Sequence, residues 1–142
     1  YSTSVVDSME AAVREVSNDS NEIVLFGYSG GAVVASLLAD RLPNVVAVVT
    51  VAGNLDIDTW TRYRGFLPLD QSINPVDHVY LRSNIMFIHL TGGDDTNVPP
   101  RITEQFVKKH GGAVWHYPDF RHNCCWESQW PKILGRLERS SF

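Results

Sequence analysis

The sequence predicts an α/β protein, a parallel open sheet of about four strands with flanking helices, and three observations predict it. Short apolar runs rich in β-branched residues recur along the chain: "IVLF" at 23–26, "VVAVVTVA" at 45–52, "IMFIHL" at 85–90 and "AVWHY" at 113–117. Helix-length segments separate most of these runs, and such alternation needs crossover connections, hence parallel pairing. The composition, 142 residues with 44% hydrophobic and 20% charged, suits a single domain over residues 1–142 with a substantial core.

The elements follow in order. Val5, Val6, Met9, Ala12, Val13 and Val16 recur at helical spacing ahead of a Ser/Asn/Asp-rich break at 17–21, which predicts an amphipathic helix. The first strand, 23–26, runs into "GYSGG" at 27–31 and then into a helix over 30–42, ended by Pro43. The second strand follows at 45–52. Residues 54–84 then interrupt the alternation. They are too long for an ordinary connection and carry Trp60, Tyr63, Phe66 and Leu67 among polar residues. The interval reads either as a lid or cap-like insertion or as a surface excursion that packs its aromatics on the sheet. The third strand, 85–90, leads through "TGGDDTNVPP" to a helix over 100–110, ended by Gly111 and Gly112. The fourth strand at 113–117 and a helix over 128–139 close the fold.

Charge and composition exclude several classes. A formal net charge of -4 without a basic run argues against nucleic acid, because phosphate binding needs clustered Lys and Arg. No apolar stretch reaches the roughly 18 residues of a membrane span. The two cysteines, Cys124 and Cys125, are neighbours and are not expected to bridge one another across a single peptide. With His122 they lack the C-x2-C spacing and the fourth ligand of a metal site, so neither metal nor cofactor is expected. Cysteine usage leaves the compartment open.

"GYSGG" carries the chemistry. A strand turning directly into a helix through Gly-x-Ser-x-Gly forces Ser29 into a strained turn, with Gly27 and Gly31 supplying space that side chains would block. The helix behind it aims backbone N–H groups and its positive end at the same spot, so the Gly30 N–H is a candidate oxyanion donor. A nucleophilic serine needs a base, and the base an orienting acid, both at strand C-terminal ends. Asp94 and Asp95 follow the third strand and His122 follows the fourth. The chain order Ser, Asp, His is that of one known arrangement of the triad.

From residue 22 onward the chain resembles the α/β-hydrolases, through the elbow "GYSGG", the acid segment "GGDDTNVP" and the histidine loop "FRHN". The resemblance implies an α/β-hydrolase-like fold and a serine hydrolase of the esterase, lipase or thioesterase kind. It would cleave carboxylic esters or related small acyl compounds through Ser29, His122 and Asp95, without a cofactor. The family's D-x-x-V-P pattern falls on Asp95 to Pro99 and favours Asp95 over Asp94, which reads as a turn residue. Tyr28, Trp60 and Phe66 are candidate pocket walls, with core packing as the competing reading. Complete members have several strands before the elbow, one of whose loops donates a second oxyanion N–H. Only about 22 residues precede the elbow strand here, so the chain is expected to be the C-terminal part of such a hydrolase, incomplete at its N-terminal side.

The competing residues have plain readings. His89 and His116 lie within strands, His110 suits a helix C-terminus, and His78 lies in the long interval. Asp56 and Asp58 follow the second strand, where some hydrolases place the acid, and stand as alternatives to Asp95. A second functional class remains open. A truncated or noncatalytic α/β module would associate with itself or a partner through the open edge left beside residues 23–26.

Overall fold

All four expected strands form, and they lie side by side in chain order. The structure, a computed structural model, describes residues 1–18, 20–79 and 84–139. β1 (Ile23–Tyr28), β2 (Val45–Val51), β3 (Met86–Gly92) and β4 (Ala113–Tyr117) make one sheet in which every adjacent pair is parallel. β1 and β3 each continue two residues beyond their apolar runs. Gly27 and Tyr28 pair with Thr50 and Val51, while Thr91 and Gly92 pair with His116 and Tyr117. Hydropathy ends before the strands do, because the ladder is made by backbone groups that every residue but proline carries in full.

The helices are α1 (Thr3–Val16), α2 (Gly30–Arg41), α3 (Ile57–Arg64), α4 (Pro75–His78), α5 (Pro100–His110) and α6 (Trp130–Glu138). α3 and α4 occupy the 54–84 interval, of which 80–83 lie outside the described residues. A 3-10 turn (Trp126–Gln129) precedes α6, so the closing α-helix begins two residues later than its sequence pattern suggests. Pro131 in its first turn explains the late start, since proline lacks the N–H that a helix interior needs.

The sheet is covered on both faces, though by different amounts of helix. One face buries Val48 and Phe87 against Val33 and Leu37 of α2, Val6 of α1 and Phe106 of α5. The other buries Ala47, Val49, Val51, Ile88 and Leu90 against Trp126, Ile133 and Leu137. Residues of β2 and β3 thus alternate between two apolar layers, which is why both strands read as mostly hydrophobic runs. β1 is an edge strand, and its Phe26 and Tyr28 are exposed. The Phe26 ring meets Trp130 edge-on at 5.4 Å. Among the described residues no helix is long and apolar enough to cross a membrane.

Candidate active site

The turn after β1 has the backbone that its glycines foretell. Ser29 takes φ 52° and ψ -120°, a left-handed conformation costly for any residue with a side chain. Its N–H donates to Val51 O at 2.8 Å, which fastens the turn to β2. Gly27 is required: a Cβ there would lie 2.5 Å from both Ala32 Cα and Gly31 O, which closes the gap between strand and helix. Gly31 corrects the sequence reading, for a Cβ there meets nothing within 4 Å. Gly30 is the tight position instead, because its added Cβ would collide with the Tyr1 hydroxyl.

Ser29 stands at the N-cap of α2, but its side chain makes no capping bond. Its Oγ lies 3.0 Å from His122 Nε2 instead. His122 Nδ1 is in turn 2.8 Å from Asp95 Oδ2. The Asp95 side chain is fully buried and that of His122 partly so, at 18% exposure. Asp95 Oδ1 accepts the backbone N–H groups of Asn97 at 2.9 Å and Val98 at 2.7 Å. This leaves Oδ2 to face the imidazole. Asp94 is exposed and takes no part in the chain; its N–H donates to Phe120 O at 3.1 Å. Among the described residues no hydrogen bond engages the Gly30 N–H, the first of the helix's free donors.

The backbone of His122 is held from two sides. Its carbonyl accepts the Tyr28 hydroxyl at 2.9 Å and the Trp126 indole N–H at 2.8 Å. The Tyr28 ring also lies 5.2 Å from the imidazole, tilted by 40°. Burial, and secondarily the Asp95 charge, raise the Tyr28 hydroxyl above its ordinary pKa, so it remains a donor through the neutral range. Trp126 sits in the core of the second face, where its ring meets Tyr117 and Phe120.

The structure joins Cys124 to Cys125, against the sequence expectation. An extended backbone would point neighbouring side chains to opposite sides. Cys125 instead takes φ 79° at the start of the 3-10 turn, and the chain bends there. Among the described residues no group of three His, Cys, Asp or Glu side chains is placed to hold a metal ion.

The other candidates have separate occupations. Asp56 caps α3 by accepting from Thr59 N at 3.0 Å and Thr59 Oγ1 at 2.6 Å, while Asp58 lies in the first turn of that helix. His89 is buried beside Thr50, His116 meets Thr91 Oγ1 at 3.1 Å, and His110 contacts Val76 O at 2.8 Å. His78 ends α4. α3 is tied to the acid loop: the Trp60 indole donates to Asn97 O at 3.0 Å, and Tyr63 and Arg64 both donate to Thr96 O at 3.2 Å. Phe66 packs edge-on against Trp60 at 5.5 Å. Beside Tyr28 opens a cavity of about 440 Å³, walled by Phe26, Val51, Trp126 and Trp130 and reached by neither Trp60 nor Phe66.

Sequence reasoning missed two contributors. Trp126 follows the histidine loop as a buried aromatic, and its place four residues after His122 was the available signal. Tyr1 gave none; it reaches Gly30 and Asn54 Nδ2, the latter at 3.5 Å, only through the fold.

A parallel sheet in this order, with a strained serine turn after one strand and the aspartate and histidine after two later ones, is the α/β-hydrolase fold. Among solved structures the chain is similar to an esterase from Pyrococcus furiosus, with TM-score 0.73 at 17% identity over 98% of this chain and 64% of that one. Mouse alpha/beta hydrolase domain-containing protein 10 gives 0.67 at 14% identity over 94% and 66%. An acetyl ester-xyloside bifunctional hydrolase from Caldicellulosiruptor lactoaceticus gives 0.62 at 16% over 94% and 61%. The chain thus spans about three-fifths of the length of many such neighbours. No protein-family model and no curated protein matches it.

Proposed function

We propose that the protein is a serine hydrolase that cleaves carboxylic esters or related small acyl compounds. The observation that carries this reading is the continuous hydrogen-bonded chain from Ser29 Oγ through His122 to the buried Asp95. In this mechanism Ser29 attacks the acyl carbon while Nε2 of His122 takes its proton. Asp95 holds the Nδ1–H tautomer and stabilises the imidazolium that forms. The Gly30 N–H, at the positive end of α2, stabilises the oxyanion. His122 then returns the proton to the leaving group, and water repeats the sequence on the acyl-serine. No cofactor enters any step. Hydrolase neighbours of the same fold support the reaction class.

The test is a fluorophosphonate, which labels activated serines, followed by adduct mapping. Labelling at Ser29 that is lost in His122→Ala supports the reading; a folded, unlabelled chain overturns it.

One observation favours a second reading, in which the chain is a noncatalytic module that pairs with itself or a partner. β1 offers an open edge with Phe26 and Tyr28 exposed. Size exclusion separates the two: concentration-dependent association with no Ser29 labelling favours the module.

A further inference from the structure

We propose that Tyr28 is a positioning residue, whose hydroxyl bond to the His122 carbonyl fixes the imidazole relative to Ser29. The inference rests on the Ser29–His122–Asp95 mechanism above and goes beyond the expected role of Tyr28 as a pocket wall. Its basis is a closed loop of contacts. Tyr28 and Ser29 are consecutive, so their Cα atoms are separated by about 3.8 Å of fixed peptide. One grips His122 at its carbonyl and the other meets its Nε2. The strained backbone at Ser29 permits this, because it turns the serine away from the strand direction that Tyr28 still follows.

Without that grip the base is poorly referenced to the nucleophile. Asp95 holds the far side of the ring, but its loop belongs to β3 and its helix-side support comes from α3. Trp126 holds the same carbonyl from the core of the second face. Among the described residues, the Tyr28 bond is the backbone-directed contact that sets His122 against the strand that bears Ser29. The carbonyl's two lone pairs are thereby both used, one toward β1 and one toward Trp126. Proton transfer in the attack depends steeply on the Oγ to Nε2 geometry, so a loosened histidine slows chemistry more than it weakens substrate binding.

The experiment compares the protein with its Tyr28→Phe and Tyr28→Leu variants. Each is assayed for the rate of fluorophosphonate labelling at Ser29, for kcat and KM on p-nitrophenyl acetate, and for melting temperature. Tyr28→Phe keeps the ring and removes the hydroxyl alone. We expect labelling and kcat to fall by about three- to tenfold with KM unchanged, the scale of one hydrogen bond's net contribution. Tyr28→Leu should be no slower in labelling than Tyr28→Phe. Labelling of Tyr28→Phe at the parent rate overturns the proposal, as does a change confined to KM, which would make Tyr28 a substrate contact. Should a variant melt lower, rates are compared equally far below each melting temperature. Slowing that survives supports positioning, and slowing that vanishes overturns it. If the parent protein itself takes no label at Ser29, the hydrolase reading fails first and the positioning role falls with it.

Discussion

His89 makes stability depend on pH in a way that can be worked out from its surroundings. It lies fully buried in β3, with Nδ1 2.8 Å from Thr50 Oγ1. Phe87 stacks on it at 5.8 Å and Phe106 meets it edge-on at 5.5 Å. Burial lowers its pKa from 6.5 to about 4, and the Gly111 backbone beside the ring opposes the shift. Because the folded value lies below the unfolded one, the unfolded chain binds the extra proton between those two pH values. Stability is therefore retained above about pH 6.5 and lost as pH falls toward 4. The whole gap corresponds to about 3 kcal/mol, of which about 2 is lost between pH 6.5 and 4.5. Urea unfolding followed by circular dichroism should show that decline. In His89→Leu the baseline drops, because Thr50 loses its partner, but the decline becomes shallower by about 2 kcal/mol over the same interval. Equal pH dependence in parent and variant would refute the reasoning.

Other perturbations test the site and its frame. Asp95→Asn should keep the fold yet lower the rate of Ser29 acylation by about 10³-fold or more, because the amide no longer holds the required imidazole tautomer; single-turnover labelling reads this directly. Asp94→Asn, at an exposed turn position, should label at close to the parent rate. Gly27→Ala drives a methyl into backbone atoms of Ala32 and Gly31, whereas Gly31→Ala meets open space. The first should cost about 2 kcal/mol or more and the second well under 1, compared by urea midpoints. The bonded Cys124 and Cys125 predict an intact mass lower by two hydrogens before treatment with a dithiol reductant than after it, and no difference in Cys124→Ser.

The readable parts of the fold were those where one local signal sufficed. β2 and β3 lie between two covered faces, so most of their side chains had to be apolar, with Thr50 and His89 buried against each other, and the strands announced themselves. Gly27 was legible because β1 and α2 approach too closely for a methyl. Gly31 was misread by the same rule, since motif spacing says nothing of whether a neighbour is present at that position. The cysteine pair was misread because backbone direction at Cys125 is decided by the turn into Trp126, not by adjacency in the chain. Asp95 was separable from Asp94 by its distance from Val98, and the structure gives the physical reason: only Asp95 is placed to accept from the N–H of Val98, three residues on. Trp60 and Phe66 had the composition of pocket walls, but the indole N–H of Trp60 is taken up by the acid loop.

Two tethers of His122, from Tyr28 and Trp126, were harder to read than Asp95, and the reason lies in the order of the strands. Ser29 follows β1, Asp95 follows β3 and His122 follows β4, with neighbouring strands about 4.8 Å apart. His122 must therefore be carried back over the top of the sheet, on the order of 14 Å from its own strand to that of the serine. A loop spanning that gap has no sheet ladder to set its position, so its placement depends on side chains reaching it from distant elements. Asp95 does so from β3, Tyr28 from β1 and Trp126 from the turn before α6. Each of these contacts is long-range in the chain or belongs to an aromatic with an adequate alternative role in the core. Motif spacing can name the three groups that meet, because they sit where strands end. It does not name Tyr28 and Trp126, which hold the His122 carbonyl, because these are selected by the crossing itself. For that reason the hydroxyl of Tyr28, rather than any residue of the three motifs, is where a small change should separate a folded protein from a fast one.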